Sequence, residues 1–120
     1  MKQGKIWGRT QKIFGSSAAE VHLLEVERGG FSSEHLHQSK RNTFVLISGG
    51  PVEILQWDLM AGKGKADVTT LSALGDMTFV PAGLWHQFRA RAKAILIEIY
   101  DVALSDDIER RSRGGGGGKR

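Results

Sequence analysis

The feature that most limits what this chain can become is its punctuation. From Glu20 to Tyr100 the apolar and β-branched residues come in runs of strand length, with Gly or Pro between most of them. No stretch carries the apolar recurrence of an amphipathic helix, at three- and four-residue steps. Short runs at even spacing, separated by turn residues, favour an all-β sandwich or barrel. The runs expected as strands are 20–27, 31–37, 43–48, 52–59, 68–71, 76–80, 85–89 and 94–100. Gly49-Gly50-Pro51 separates the third from the fourth and suggests a hairpin between them.

A chain of 120 residues makes one domain with a single core. Residues 1–19 read as an N-terminal arm or edge strand, and 20–104 as the barrel. Ser105 ahead of Asp106 and Asp107 suggests a short capped turn over 105–113. The glycine-rich 114–120 cannot pack a core and is expected to be disordered. There is no cysteine, which excludes disulfides, cysteine-bound zinc and a thiol nucleophile. Seventeen Lys and Arg against 13 Asp and Glu give a net charge of +4, but the cations are dispersed. With no basic helix and no aromatic-studded RNA motif, nucleic acid is not the expected partner, and an anionic small molecule fits better. No apolar run approaches the roughly 20 residues of a membrane span, and no signal-peptide block opens the chain. A cytoplasmic location is the expectation.

Within this frame the chemistry gathers at three histidines. His35 and His37 stand one residue apart, so on a strand both face the same side. His86 follows the turn Pro81-Ala82-Gly83 and opens a further apolar run. Three neutral imidazoles converging inside a barrel make a site for a divalent transition metal. His22, in an apolar strand with no partner motif, reads as a structural or exposed histidine.

These residues resemble the cupins, small β-barrels with two signature motifs. The first motif runs Gly, five residues, His-x-His, three or four residues, Glu, six residues, Gly. It is similar to Gly30 (or Gly29), His35-x-His37 and Gly49, with Asn42 where the Glu would fall. The second runs Gly, five residues, Pro-x-Gly, two residues, His, three residues, Asn. Gly75, Pro81-Ala82-Gly83 and His86 match it, with Ala90 in place of the Asn. The resemblance spans about residues 20 to 100. It implies a cupin (double-stranded β-helix or jelly-roll) barrel with His35, His37, His86 and Asn42 around the metal. Asn42 would contribute a neutral carbonyl oxygen in place of a carboxylate. Zn, Fe, Mn and Ni all remain open.

The two ends are similar to the cupin domain of type II phosphomannose isomerases, through Trp7-Gly8, Ser48-Gly49 and Asp106-Asp107-Ile108-x-Arg110. Their first motif, Gln-x-His-x-x-Arg-x-Glu, is kept here only at His37. This resemblance implies a sugar phosphate or similar ligand and, more weakly, metal-assisted isomerisation. Lys40 and Arg89, each three residues beyond a histidine, are the cations that would meet such an anion, with Trp85 as a further wall. Glu98 is the candidate base, with Glu34 its rival. A three-histidine dioxygenase and a non-catalytic sugar-binding module are the alternatives. Open barrels leave edge strands to pair, so a homodimer is expected.

Overall fold

The computed structural model describes residues 2–57 and 65–102, with the side chains of Lys2 and Gln3 left aside. The sequence-predicted turn at 105–113 and the tail at 114–120 lie outside the described residues, as do residues 58–64 and with them the end of the strand expected at 52–59. The described residues form β1 (Lys2–Lys5), β2 (Gly8–Gly15), β3 (Ala19–Val26), β4 (Arg41–Gly49), β5 (Val52–Trp57), β6 (Asp67–Leu71), β7 (Met77–Val80), β8 (Trp85–Ala90) and β9 (Ala94–Asp101). They make two sheets, one ordered β1-β2-β3-β9-β4-β7 and the other β6-β5-β8. Every strand pair is antiparallel.

The alternation in sequence becomes an inside and an outside. On β4, Asn42, Phe44 and Leu46 are buried, and on β9 so are Ala94, Leu96 and Glu98. Of these, Phe44, Leu46, Ala94 and Leu96 join Val52, Ile54 and Phe88 of the smaller sheet in one apolar core. Phe44, Leu46, Ile54 and Leu96 are each at most 1% exposed, and burying side chains of this size stabilises by about 1.5–3 kcal/mol apiece.

Two expectations about the strands are corrected. Gly49-Gly50-Pro51 does not close a hairpin: β4 pairs with β9 and β7, and β5 with β6 and β8. The turn is a corner at which the chain crosses between sheets. Residues 31–37 do not form a strand. Only Phe31 and His35 make isolated bridges, to Arg89 and His86. The N-terminal arm is more ordered than its composition suggests, since β1 and β2 form a hairpin that extends the large sheet beside β3.

Candidate metal centre

The segment after β3 is held along β8 by backbone bonds rather than by a full ladder. Ala90 N donates to Gly30 O at 2.9 Å, and Ser32 N to Phe88 O at 3.1 Å. The buried Ser32 hydroxyl accepts from Phe88 N at 3.1 Å, and Gln87 Nε2 donates to Ser32 O at 2.9 Å. His35 and His86 then exchange both backbone bonds, at 3.1 and 2.8 Å. Gly83, at φ 90° in the turn before β8, donates its N–H to His37 O at 2.8 Å. A left-handed residue there suits glycine, and the bond ties the second motif to the first.

The three imidazoles are thereby brought together. One ring nitrogen from each of His35, His37 and His86 lies within 4.8 Å of the others. His35 Nδ1 is 2.9 Å from Ser33 O, and His86 Nδ1 is 3.2 Å from Leu84 O. A carbonyl only accepts, so each Nδ1 carries the proton and each Nε2 keeps its lone pair. Burial holds His37 below the usual imidazole range, helped by positive charge at His35 and Lys40. Burial, above all, pushes His86 down to about 4, with the bond to Leu84 acting in the opposite sense. His37 and His86 are therefore neutral at pH 7, the form in which histidine binds metal.

Asn42 and Glu98 form the adjoining wall. Asn42 Nδ2 donates to Glu98 Oε2 at 2.7 Å, inside the core. Burial raises the Glu98 carboxyl, while hydrogen bonds from Asn42 and Tyr100 oppose the shift. Burial and the neighbouring Glu98 in turn push the Tyr100 hydroxyl up. Tyr100 lies edge-on between His22 and His37, 5.2 Å from each ring. Among the described residues, the buried side-chain N and O atoms without a hydrogen-bond partner are His37 Nε2, Asn42 Oδ1 and His86 Nε2. Unsatisfied buried polar atoms are costly, and a bound cation or an ordered water satisfies atoms of this kind. The residues present fit a metal.

Of these groups, His35, Glu98 and Tyr100 line an open cavity of about 1330 Å³, while His37, His86 and Asn42 stand behind its wall. One wall is aromatic, with Trp7, Phe31, Trp57, Trp85 and Phe88, and the other carries His22, His35, Glu98 and Tyr100. Of the residues nominated from the sequence, His35, Trp85 and Glu98 line it, and so does Glu34. Lys40 and Arg89 do not. Lys40 is exposed, and Arg89 pairs with Glu53 at 3.3 Å on the outside of the small sheet. The cations that border the cavity are Lys5 and Arg28, beside Glu27 and Glu34. His22, which reads as a bystander in the sequence, stands on the cavity wall with Nε2 3.0 Å from Glu20 Oε1. Its signal was the two-residue period shared with the buried Leu24 and Val26, which puts all three on the inner face.

No family model matches the sequence, and no curated protein matches it. Solved structures do match. KdgF from Halomonas sp. superposes with a TM-score of 0.68 at 13% identity, over 87% of this chain and 89% of that one. CapF from Staphylococcus aureus gives 0.73 at 14%, over 88% of this chain and 31% of its own. Oxalate decarboxylase from Bacillus subtilis gives 0.71 at 18%, over 85% and 27%. The chain thus spans about a third or less of the last two. The fold is that of the cupins. Mn(II) centres are described for the oxalate decarboxylase.

Proposed function

We propose that this chain is a metal-dependent cupin that takes a small polar metabolite into its barrel, with sugar-phosphate isomerisation as the leading reaction. The observation that carries the metal is the set of buried atoms without partners, which falls on three of the four residues nominated as ligands. His35, His37 and His86 would hold a divalent transition metal, with Asn42 Oδ1 as a neutral fourth contact. Such a metal supplies Lewis-acid polarisation of a substrate carbonyl. Glu98 borders the cavity with its carboxyl raised by burial, the direction that suits a group exchanging a proton with substrate. Tyr100 and Asn42 fix that carboxyl, and Trp85 offers a flat face to the ligand. Lys5 and Arg28 line the cavity with Glu27 and Glu34, and either cation is a contact for an anionic group of the ligand.

A second reading is favoured by the donor set itself. The metal-competent group found among the described residues is three histidines with no carboxylate, which suits an iron-dependent dioxygenase as well as an isomerase.

Elemental analysis of protein purified without an affinity metal tests the site, and so does a Zn, Mn or Fe titration of the stripped protein. His35→Ala is expected to abolish binding. If the stripped protein takes up none of these metals, or takes them up equally well as His35→Ala, the metal reading fails. Chelator-sensitive turnover of mannose 6-phosphate supports the isomerase, and oxygen uptake with iron bound supports the dioxygenase. Binding without turnover marks a sugar-binding module.

A further inference from the structure

The inner face of the large sheet changes character along β3. Its inward row runs Val26, Leu24, His22, Glu20, and the apolar pair is buried while the polar pair is only partly covered. Across the β3–β9 ladder His22 stands opposite Glu98, and Glu20 opposite Tyr100. Directly opposed residues of an antiparallel pair point to one side, with Cβ atoms about 4.5–5.5 Å apart. His22 and Glu98 are thus neighbours, and both line the cavity together with Tyr100.

Glu20 Oε1 lies 3.0 Å from His22 Nε2, and Lys12 Nζ lies 3.9 Å from Glu20 Oε2. The hydrogen bond from His22, and then the charge of Lys12, hold the Glu20 carboxyl below its ordinary value. An ionised carboxylate only accepts, so Nε2 carries the His22 proton and Nδ1 keeps the lone pair. Tyr100 braces the ring edge-on, with centroids 5.2 Å apart and planes at 84°. A histidine oriented by a carboxylate through one nitrogen is a base at the other. The chain has four histidines, and the candidate metal centre takes the other three.

We propose that His22, held by Glu20, is the base that takes a hydroxyl proton from the ligand in this cavity. Its use in an aldose–ketose isomerisation rests on the function proposed above. That reaction moves one hydrogen between neighbouring carbons and one between their oxygens. Glu98 Oε2 already accepts from Asn42 at 2.7 Å, so a second group is needed for the second transfer. The hydrogen on the carbon beside the carbonyl leaves as a proton to the Glu98 carboxylate. Its electron pair forms the carbon–carbon double bond, and the carbonyl π pair moves onto its own oxygen. His22 Nδ1 takes the proton of the neighbouring hydroxyl and delivers it to that oxygen. The oxygen left bare re-forms a carbonyl, and Glu98 returns its proton to the other carbon. Atoms and electrons balance with no co-reactant.

Diethyl pyrocarbonate, which acylates the unprotonated nitrogen of an imidazole, tests the pair without any substrate. Trypsin releases His22 as the single histidine of residues 13–28, apart from His35 and His37 in 29–40 and His86 in 66–89. Labelling of zinc-treated full chain at about pH 8, where an ordinary imidazole is neutral, is expected to appear first on the 13–28 peptide. Glu20→Gln keeps an acceptor for Nε2 but loses the charge, and should slow that labelling about tenfold or more. Where mannose 6-phosphate is turned over, His22→Gln should lower kcat about 100-fold or more with KM and zinc uptake little changed. Native circular dichroism of both variants separates these effects from misfolding. A His22 that stays unlabelled overturns the proposal, as does labelling that Glu20→Gln leaves unaltered, or a His22→Gln enzyme that keeps its kcat. A parent inert toward mannose 6-phosphate fails the isomerase reading alone, and the labelling then decides for His22 by itself.

Discussion

Asn42 Nδ2 lies 2.7 Å from Glu98 Oε2, which spends the amide's donor on the carboxyl and leaves its oxygen without a partner. One contact thus fixes two buried polar groups, a neutral acceptor on β4 and an acid that lines the cavity. Asn42→Leu strips Glu98 of that donor and should cost about 1–3 kcal/mol. Glu98→Gln keeps an acceptor oxygen and removes the ionisation. Because burial raises the Glu98 carboxyl, the folded state keeps its proton after the unfolded chain has released it. Stability attached to this group is present below the unfolded carboxylate range and is lost as pH rises through the folded value. Glu98→Gln is therefore expected to match the parent near pH 4 and to exceed it at pH 8, in denaturant melts at both. A parent that gains on the variant with rising pH would contradict the assignment.

Arg89 and Trp85 were both expected to touch ligand; Trp85 lines the cavity, whereas Arg89 pairs with Glu53 and does not line it. Arg89 shares Glu53 with Arg91, at 3.3 and 2.9 Å, and both arginines are largely exposed. Exposed pairs of this kind contribute about 0–1 kcal/mol. Arg89→Ala should leave metal uptake and mannose 6-phosphate binding unchanged and move stability by less than about 1 kcal/mol. Trp85→Ala removes part of the cavity wall and should weaken ligand binding about tenfold or more with metal uptake intact. Calorimetric titration of both variants checks the contrast; equal losses would mean that Arg89 reaches the ligand.

These outcomes mark what could be seen in the residues beforehand. Two-residue alternation and the Gly and Pro stops disclose seven of the strand positions nearly to their ends, because those signals are local. The spacing of the histidine motifs discloses the three imidazoles, although His35 and His37 are placed by backbone bonds to His86 and Gly83 and not by the strand expected there. The sheet to which β5 belongs is not local: Gly49-Gly50-Pro51 reads as a hairpin, and only the pairing of β4 with β9 shows that the chain crosses over. Nor can sequence show that Asn42 faces Glu98, a contact across 56 positions. Lys40 and Arg89 were chosen for closeness in sequence to the histidines, and strand geometry turned one outward and left the other exposed.

Gly49 and Gly75 both adopt left-handed backbone, at φ 76° and 89°, in different surroundings. A side chain at Gly49 would collide with the Lys93 carbonyl across the β4–β9 pair, whereas one at Gly75 would meet open space. Gly75→Ala should cost only the conformational strain, about 1–2 kcal/mol. Gly49→Ala must also separate two strands of the central ladder and should cost more than about 3 kcal/mol, in the range reserved for severe changes. Thermal melts of the two variants test this; similar losses would mean that the sheet yields at Gly49.

His86 makes acid stability of the metal-free protein a further test. Burial pushes its imidazole down to about 4, against 6.5 for an ordinary histidine. Between those values the unfolded chain binds a proton that the folded chain refuses, so stability rises with pH across the window and falls as pH drops from about 6.5 toward 4. A shift of this size corresponds to a loss on the order of 3 kcal/mol at the acid end. His86→Gln takes no proton in either state and should flatten that part of the profile, whatever it costs at neutral pH. Urea melts of stripped protein from pH 7 to pH 4 give both curves. Parallel slopes for parent and variant would show that His86 titrates as freely in the barrel as in the unfolded chain, and the neutral imidazole argued for the metal centre would lose its physical basis.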